Sequence, residues 1–183
     1  MSDKVLNILA ISGSLRAISS NTAVLRAMAK MADKNIRLNI YDGLGTLPHF
    51  SPEIDGDLSA PSVVEFRKLI YEADGIILCT PEYAFGVPGV LKNALDWTVS
   101  TGDFTKKPLA VISASPSFLG GDKAHASLLL TMTALDAIIS EETKLMIPAI
   151  KKKQDEHGEI TDVDTLDKLK SVLDALIKNI QGN

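Results

Sequence analysis

The sequence predicts an α/β fold: a single domain over residues 1–183, built as a three-layer sandwich with a five-stranded parallel sheet between helices. Three observations carry this prediction. Short runs of Leu, Ile and Val alternate along the chain with segments of helical period. The runs at 75–80 and 108–114 are apolar almost throughout, as expected of strands covered on both faces. The length of 183 residues, with 45% apolar and 23% charged residues, suits one globular domain with a full core.

Each element has its own warrant. Residues 5–11 form the first apolar run, and 22–32 read as a helix with Val24, Leu25, Met28 and Ala29 on one face. Residues 36–41 alternate apolar and polar side chains, which suits a strand near a sheet edge. A helical pattern at 61–73 precedes the strand at 75–80, and another at 88–100 opens on Pro88, whose missing N–H costs nothing in a first turn. The strand at 108–114 leads to a helical pattern at 123–140. There Leu128, Met132, Leu135 and Ile139 form the main stripe, while Leu129, Leu130 and Ile138 fall outside it. Such an over-wide apolar surface fits either a deeply buried helix or one that also meets another subunit. Residues 143–147 read as the last strand. At 163–181, Leu166, Leu169, Val172, Leu173, Leu176, Ile177 and Ile180 make a clean amphipathic stripe. Right-handed crossovers turn this alternation into a doubly wound sandwich. The flavodoxin-like order 2-1-3-4-5 accommodates five strands.

Composition narrows the function. A net charge of −4 with 19 basic residues argues against nucleic acid and against a polybasic membrane binder. One cysteine, Cys79, excludes an internal disulfide framework and any multi-cysteine metal site, and His49, His125 and His157 lack metal-ligand spacing, so no metal is expected. No apolar run is long enough to span a bilayer. Met1-Ser2-Asp3-Lys4 leads straight into the first strand without the parts of a signal peptide, so the expected compartment is the cytoplasm.

In an open α/β sheet, ligands bind beyond the carboxyl ends of the strands. Three loops leave that edge with unusual sequences. The first, Ser12-Gly13-Ser14-Leu15-Arg16-Ala17-Ile18-Ser19-Ser20-Asn21-Thr22, follows a strand and opens a helix. Helix N-termini favour anions, and Ser14, Ser19, Asn21 and Thr22 can donate to a phosphate, with Arg16 adding charge and Gly13 allowing close approach. Plain N-capping by Ser19, Ser20 or Asn21 explains one of these residues and not the cluster. The loop has neither the dinucleotide fingerprint nor the Walker lysine, so a mononucleotide such as FMN fits better than a nucleoside triphosphate. The second loop, Thr80-Pro81-Glu82-Tyr83-Ala84-Phe85-Gly86-Val87-Pro88-Gly89, puts Tyr83 and Phe85 at the sheet edge, where a flat ring can lie with backbone N–H groups of residues 82–84 at its polar rim. Alternatively, the two aromatics cap the core or fill a subunit contact. Glu82 has no partner at a spacing that marks an acid–base pair. The third loop carries Ser115 and the paired glycines Gly120 and Gly121. The Lys151-Lys152-Lys153 run, in an irregular stretch at 148–162, reads as a solvated face.

Gly-Ser-Leu-Arg-x-x-Ser-x-Asn at 13–21, together with Pro-Glu-Tyr-x-x-x-x-Pro-Gly-x-Leu-Lys-Asn-Ala-x-Asp-Trp at 81–97, resembles the NADPH-dependent FMN reductase family of flavodoxin-like quinone, chromate and azo-dye reductases. The similarity runs from the first strand to the fourth helix. It implies non-covalent FMN, with the phosphate on Ser14, Arg16, Ser19, Asn21 and the start of the first helix, Gly13, Ser20 and Thr22 among them. The isoalloxazine is implied to lie against Pro81, Glu82, Tyr83, Ala84, Phe85 and Gly86, with further contact from Ser115 and Gly120. It also implies NADPH or NADH as co-substrate, a small-molecule electron acceptor, and a homodimer or homotetramer joined through the helices near 90–100 and 123–140. Departures at Ala17-Ile18 and Ala84-Phe85-Gly86 leave the cofactor expectation intact and carry no particular substrate over. The expected activity is hydride transfer from the nicotinamide to flavin N5 and then to a quinone-like acceptor, ping-pong, with no catalytic side chain. An electron carrier of the flavodoxin type and a flavin-binding sensor without turnover are the competing readings.

Overall fold

The computed structural model describes residues 5–182; the leading residues 1–4 lie outside the described residues. The chain runs β1 (Leu6–Ser12), α1 (Ser20–Met31), β2 (Ile36–Tyr41), α2 (Pro61–Glu72), β3 (Gly75–Thr80), α3 (Gly89–Asp96), β4 (Leu109–Ala114), α4 (Asp122–Ala134), β5 (Lys144–Ile147) and α5 (Val163–Gly182). The sheet is parallel throughout, in the order β2-β1-β3-β4-β5. Strand order reverses between β1 and β3, and the two strands end level, with Ser12 beside Cys79. Thr80 in turn sits beside Ser113 of β4. Three loops therefore leave the sheet at one height, which is where such a fold collects a ligand.

Alternation along the central strands divides the core in two. Leu9, Ile11, Ile76, Leu78, Leu109 and Val111 face α2, α3 and α4, packing with Phe66, Ile70, Leu91, Trp97, Leu128 and Met132. Ile8, Ala10, Ile77, Cys79, Ala110 and Ile112 face α1 and α5, packing with Val24, Met28, Leu169, Leu173 and Leu176. The strands β2 and β5 are the half-buried edges, in keeping with the polar alternation at 36–41.

Two helices are shorter than their patterns predict. After α3 the chain continues in turns, with Trp97 still fully buried. After α4, Asp136 adopts a left-handed φ of 57°, and the chain then runs extended beside the start of β4. Leu109 N–H donates to Ile138 O at 2.8 Å, and Ile138 N–H donates to Lys107 O at 2.9 Å. Ile138 and Ile139 thus lie off the helix, which is why Ile138 broke the stripe. Of the other two outliers, Leu130 points outward and is 73% exposed, and Leu129 is half-buried against the core on that side of the sheet.

The irregular stretch after β2 is fastened by Asn93 and Trp97, which bond Pro48 and Phe50, and by Arg67. Arg67 on α2 meets Asp55 at 2.7 Å and donates to the Trp97 carbonyl, with Asp103 at 3.9 Å. Hydrogen bonds from Ser100 and then Arg67 hold the Asp55 carboxyl down at about 2. Burial pushes the Asp103 carboxyl the other way.

Candidate cofactor site

The first loop is built on internal bonds as much as on free donors. Gly13 N–H donates to Cys79 O at 2.8 Å. A Cβ at Gly13 would stand 3.0 Å from Leu91 Cδ2 and 3.1 Å from Thr80 Oγ1, so this glycine lets the loop cross the end of β3. Ser19 caps α1, its Oγ accepting from Thr22 N–H at 3.3 Å. The N–H groups of Ser20 and Asn21, in the first turn, have no carbonyl behind them in the helix. The Thr22 hydroxyl donates to Ser12 Oγ at 3.0 Å, and the Ser20 hydroxyl donates to Gln154 Oε1 at 2.8 Å. The Asn21 amide is used at both ends: Nδ2 donates to Ala114 O at 3.3 Å, and Oδ1 accepts from Cys79 Sγ at 3.2 Å. Burial pushes the Cys79 thiol far up, so it stays a protonated donor.

The second loop is a tight reverse turn. Tyr83 and Gly86 exchange two backbone hydrogen bonds of 3.0 Å, and Ala84 and Phe85 between them have φ of 48° and 60°. Positive φ at both central residues normally selects Asn or Gly. The Tyr83 N–H is thereby committed to Gly86, which narrows the amides expected at a ring edge to those of Glu82 and Ala84. The Glu82 carboxylate has a structural task. Its Oε2 accepts from Lys123 N–H at 2.9 Å and Ala124 N–H at 3.0 Å, capping α4 across the chain. The cap position of α4 is Gly121, which has no side chain to offer.

The third loop is laced to the segment after β5. Ser115 Oγ accepts from Ser117 N–H at 3.1 Å, and Ser113 Oγ donates to Gly120 O at 2.8 Å. Gly120 has φ of 66°, and a Cβ there would lie 3.1 Å from Pro148 N. Ala149 N–H donates to Ser117 O at 2.9 Å, and Ile150 N–H donates to Ser115 O at 3.1 Å.

Together these loops enclose an open cleft of about 250 Å³. Of the residues predicted from sequence, it brings together Ser14, Arg16, Ser19, Ser20, Asn21, Pro81, Glu82, Tyr83 and Ser115. Gly13, Thr22 and Gly120 do not line it; they pack or brace the loops that do. Ala84, Phe85 and Gly86 close the reverse turn, with Phe85 79% exposed. Ala114, Pro116, Ile150 and Lys151 also line the cleft; the sequence pattern assigns none of them to the site and reads Lys151 as part of a solvated lysine run, whereas the turn after β5 brings it to the cleft. The donor set fits FMN. Hydroxyls of Ser14 and Ser19, two helix amides and the Arg16 guanidinium suit a phosphate monoester, while Pro81, Tyr83 and Pro116 offer flat apolar surface to a ring.

A sequence profile of the NADPH-dependent FMN reductase family matches residues 6–152. The chain belongs to that family. Among its relatives in the family, the quinone reductase of Escherichia coli strain K12 is 33% identical over 185 residues, covering 99% of this chain and 98% of its own. An NAD(P)H-dependent FMN reductase of Pseudomonas aeruginosa is 32% identical over the full length of both chains. Among solved structures, the flavoenzyme NAD(P)H:(acceptor) oxidoreductase FerB of Paracoccus denitrificans superposes with a TM-score of 0.86 at 27% identity, over 97% of this chain and 98% of that one. Like other NADPH-dependent FMN reductases, this protein is an oxidoreductase that works with FMN and NAD(P)H. Among the described residues no group of three or more His, Cys, Asp or Glu is placed to hold a metal, and no helix is long and apolar enough to cross a membrane.

Proposed function

We propose that this protein is an NAD(P)H:quinone reductase with ping-pong turnover, in which the nicotinamide and a small quinone-like acceptor use one cleft in turn. The observation that carries this reading is the cleft at the β1/β3 reversal, lined both by the anion donors of the first loop and by the Pro81–Tyr83 segment. Bound there, FMN supplies acceptance of hydride at N5 and its delivery to the acceptor. Ser14, Ser19, Arg16 and the amides of Ser20 and Asn21 bind the phosphate. The 83–86 turn and Ser115 would hold the ring. Glu82 holds α4 and transfers no proton, and hydride transfer asks for no acid or base from the chain. The relatives named for quinone reduction in Escherichia coli and for 2-hydroxy-1,4-benzoquinone reduction in Burkholderia support a quinone as acceptor.

The exposed Leu130 of α4 and Val99 just beyond α3 support a homodimer or homotetramer joined through this face, and the cytoplasm is the proposed compartment. Anaerobic stopped-flow mixing of the FMN-loaded protein with NADH or NADPH, followed by a quinone, tests the activity. Two separable half-reactions and parallel double-reciprocal lines are expected. FMN that binds tightly without being reduced would overturn the reductase reading in favour of a sensor. One-electron transfer with a long-lived blue radical form would overturn it in favour of a carrier.

A further inference from the structure

Resting on FMN as the occupant of the cleft, we propose that Lys151 is a direct ligand of the FMN phosphate, supplying a second positive charge beside Arg16. The segment that carries it is held in place. Ala149, at φ of 50°, turns the chain after β5, and the Ala149 and Ile150 amides are bonded to Ser117 O and Ser115 O. Ile150 itself is fully buried, so the Ile150–Lys153 turn is pinned against the third loop. Gln154, three residues beyond Lys151, accepts the Ser20 hydroxyl hydrogen bond at 2.8 Å, tying the same segment to the first residue of α1. The turn and the helix end that offers its amides to a phosphate thus form one fastened unit.

The three consecutive lysines have different surroundings. Lys152 Nζ lies 5.8 Å from the centroid of the Phe118 ring. Lys153 Nζ bonds Asp162 and Thr165, each at 2.9 Å. Lys151 lines the cleft and, among the described residues, makes no ion pair. Arg16, also on the cleft, makes none either. The one carboxylate among the lining residues, Glu82, is committed to the α4 amides. The cleft therefore presents two cations without an ion-pair partner among the described residues against one carboxylate turned to the α4 amides, beside a helix N-terminus. A phosphate monoester near neutral pH carries between one and two negative charges, which Arg16 alone does not balance.

The test is titration of the apoprotein with FMN and with riboflavin, read by flavin fluorescence, for wild type, K151Q, K151R and K152Q. K151Q is expected to weaken FMN binding about tenfold at low salt, as loss of a charge-assisted phosphate contact does. The deficit should shrink as ionic strength rises to about 0.3 M. Riboflavin, which lacks the phosphate, should bind K151Q as it binds wild type. K151R should stay close to wild type, and K152Q, with the same charge change one residue on, should move FMN affinity less than about twofold. An unchanged FMN affinity in K151Q, or equal weakening of FMN and riboflavin, overturns the assignment while leaving the cofactor reading intact. A KM defect for NADPH without an FMN defect overturns it too, by giving Lys151 to the nicotinamide. Failure of wild type itself to bind FMN overturns both.

Discussion

Replacing Glu82 by alanine removes a helix cap from a distance of 41 residues. Its carboxylate accepts from Lys123 N–H at 2.9 Å and from Ala124 N–H at 3.0 Å. Ala124 is fully buried, so its orphaned amide has little access to water, and Gly121 cannot substitute as a cap. Loss of an N-cap costs about 0.5–2 kcal/mol, and loss of a negative charge at a helix N-terminus costs about 0.3–1 kcal/mol more. E82A should therefore cost about 2 kcal/mol. For a chain of this size that lowers Tm by about 4–8 °C. E82Q keeps an oxygen acceptor and loses only the charge, so about 1 kcal/mol and about 2–4 °C are expected.

The same pair of variants separates a cap from a proton-transfer group. General acid–base catalysis is worth about 10²–10⁴ in rate, so E82Q should lose at least about a hundredfold in kcat if the carboxylate moves a proton. As a cap, E82Q should keep kcat within roughly threefold of wild type, well short of that loss. Differential scanning fluorimetry and steady-state turnover on the FMN-loaded variants measure both quantities. A hundredfold kcat loss in E82Q at unchanged Tm would refute the capping argument.

Other perturbations test the supports around the cleft. R67M leaves the Asp55 and Asp103 carboxylates without their shared cation and should cost about 3–5 kcal/mol in denaturant unfolding; a loss under about 1 kcal/mol would mean the ion cluster is only decorative. The Asp55 carboxyl is depressed from 3.8 to about 2, so its stabilisation is complete above the ordinary value and is lost as pH falls toward 2. Wild type should be more stable than D55N at neutral pH, and acid titration of the two should converge below about pH 2; parallel curves would contradict the linkage. The raised Asp103 carboxyl works in the opposite direction, because its protonation favours the folded state and offsets part of the acid loss. G120A forces an alanine to φ of 66° with its Cβ 3.1 Å from Pro148 N. A loss of about 2 kcal/mol is expected, together with weaker FMN binding as the third loop shifts; a wild-type melt would show that the loop yields. A84G should raise stability by about 1 kcal/mol by relieving a left-handed alanine, seen as a higher Tm, and a lower Tm would contradict the strain.

Burial pattern made the sheet readable. The strands β3 and β4 are covered on both faces and show as unbroken apolar runs, whereas the polar alternation of β2 marks an edge. The end of α4 was not readable, for a specific reason. Ile138 and Ile139 extend an apolar pattern that looks helical, yet they are apolar because the chain there lies beside β4, with Ile138 paired to Pro108. Periodicity records that a residue is covered and does not record what covers it. Asp136, where the helix gives way to a left-handed residue, carries no glycine or proline to announce the break.

The cleft shows the same division. The rule that ligands gather beyond the strand ends led to the loops after β1, β3 and β4, and nine residues from those loops do line one space. A count of hydroxyls and amides does not separate a ligand from a brace, however. The side chains of Thr22, Ser20 and Asn21 are spent on Ser12, Gln154, Ala114 and Cys79, partners far away in sequence apart from Ser12. That expenditure has a functional consequence. A loop whose polar groups are already ordered by internal bonds loses little further freedom when an anion arrives, so more of the contact energy remains as affinity. Lys151 reads as solvated for the complementary reason. Its composition is that of a solvated lysine run, and its placement is decided by a left-handed alanine at 149 and by two amides bonded to Ser115 and Ser117. None of those determinants is a feature of the lysines themselves, and only the folded chain brings them to bear on the residue.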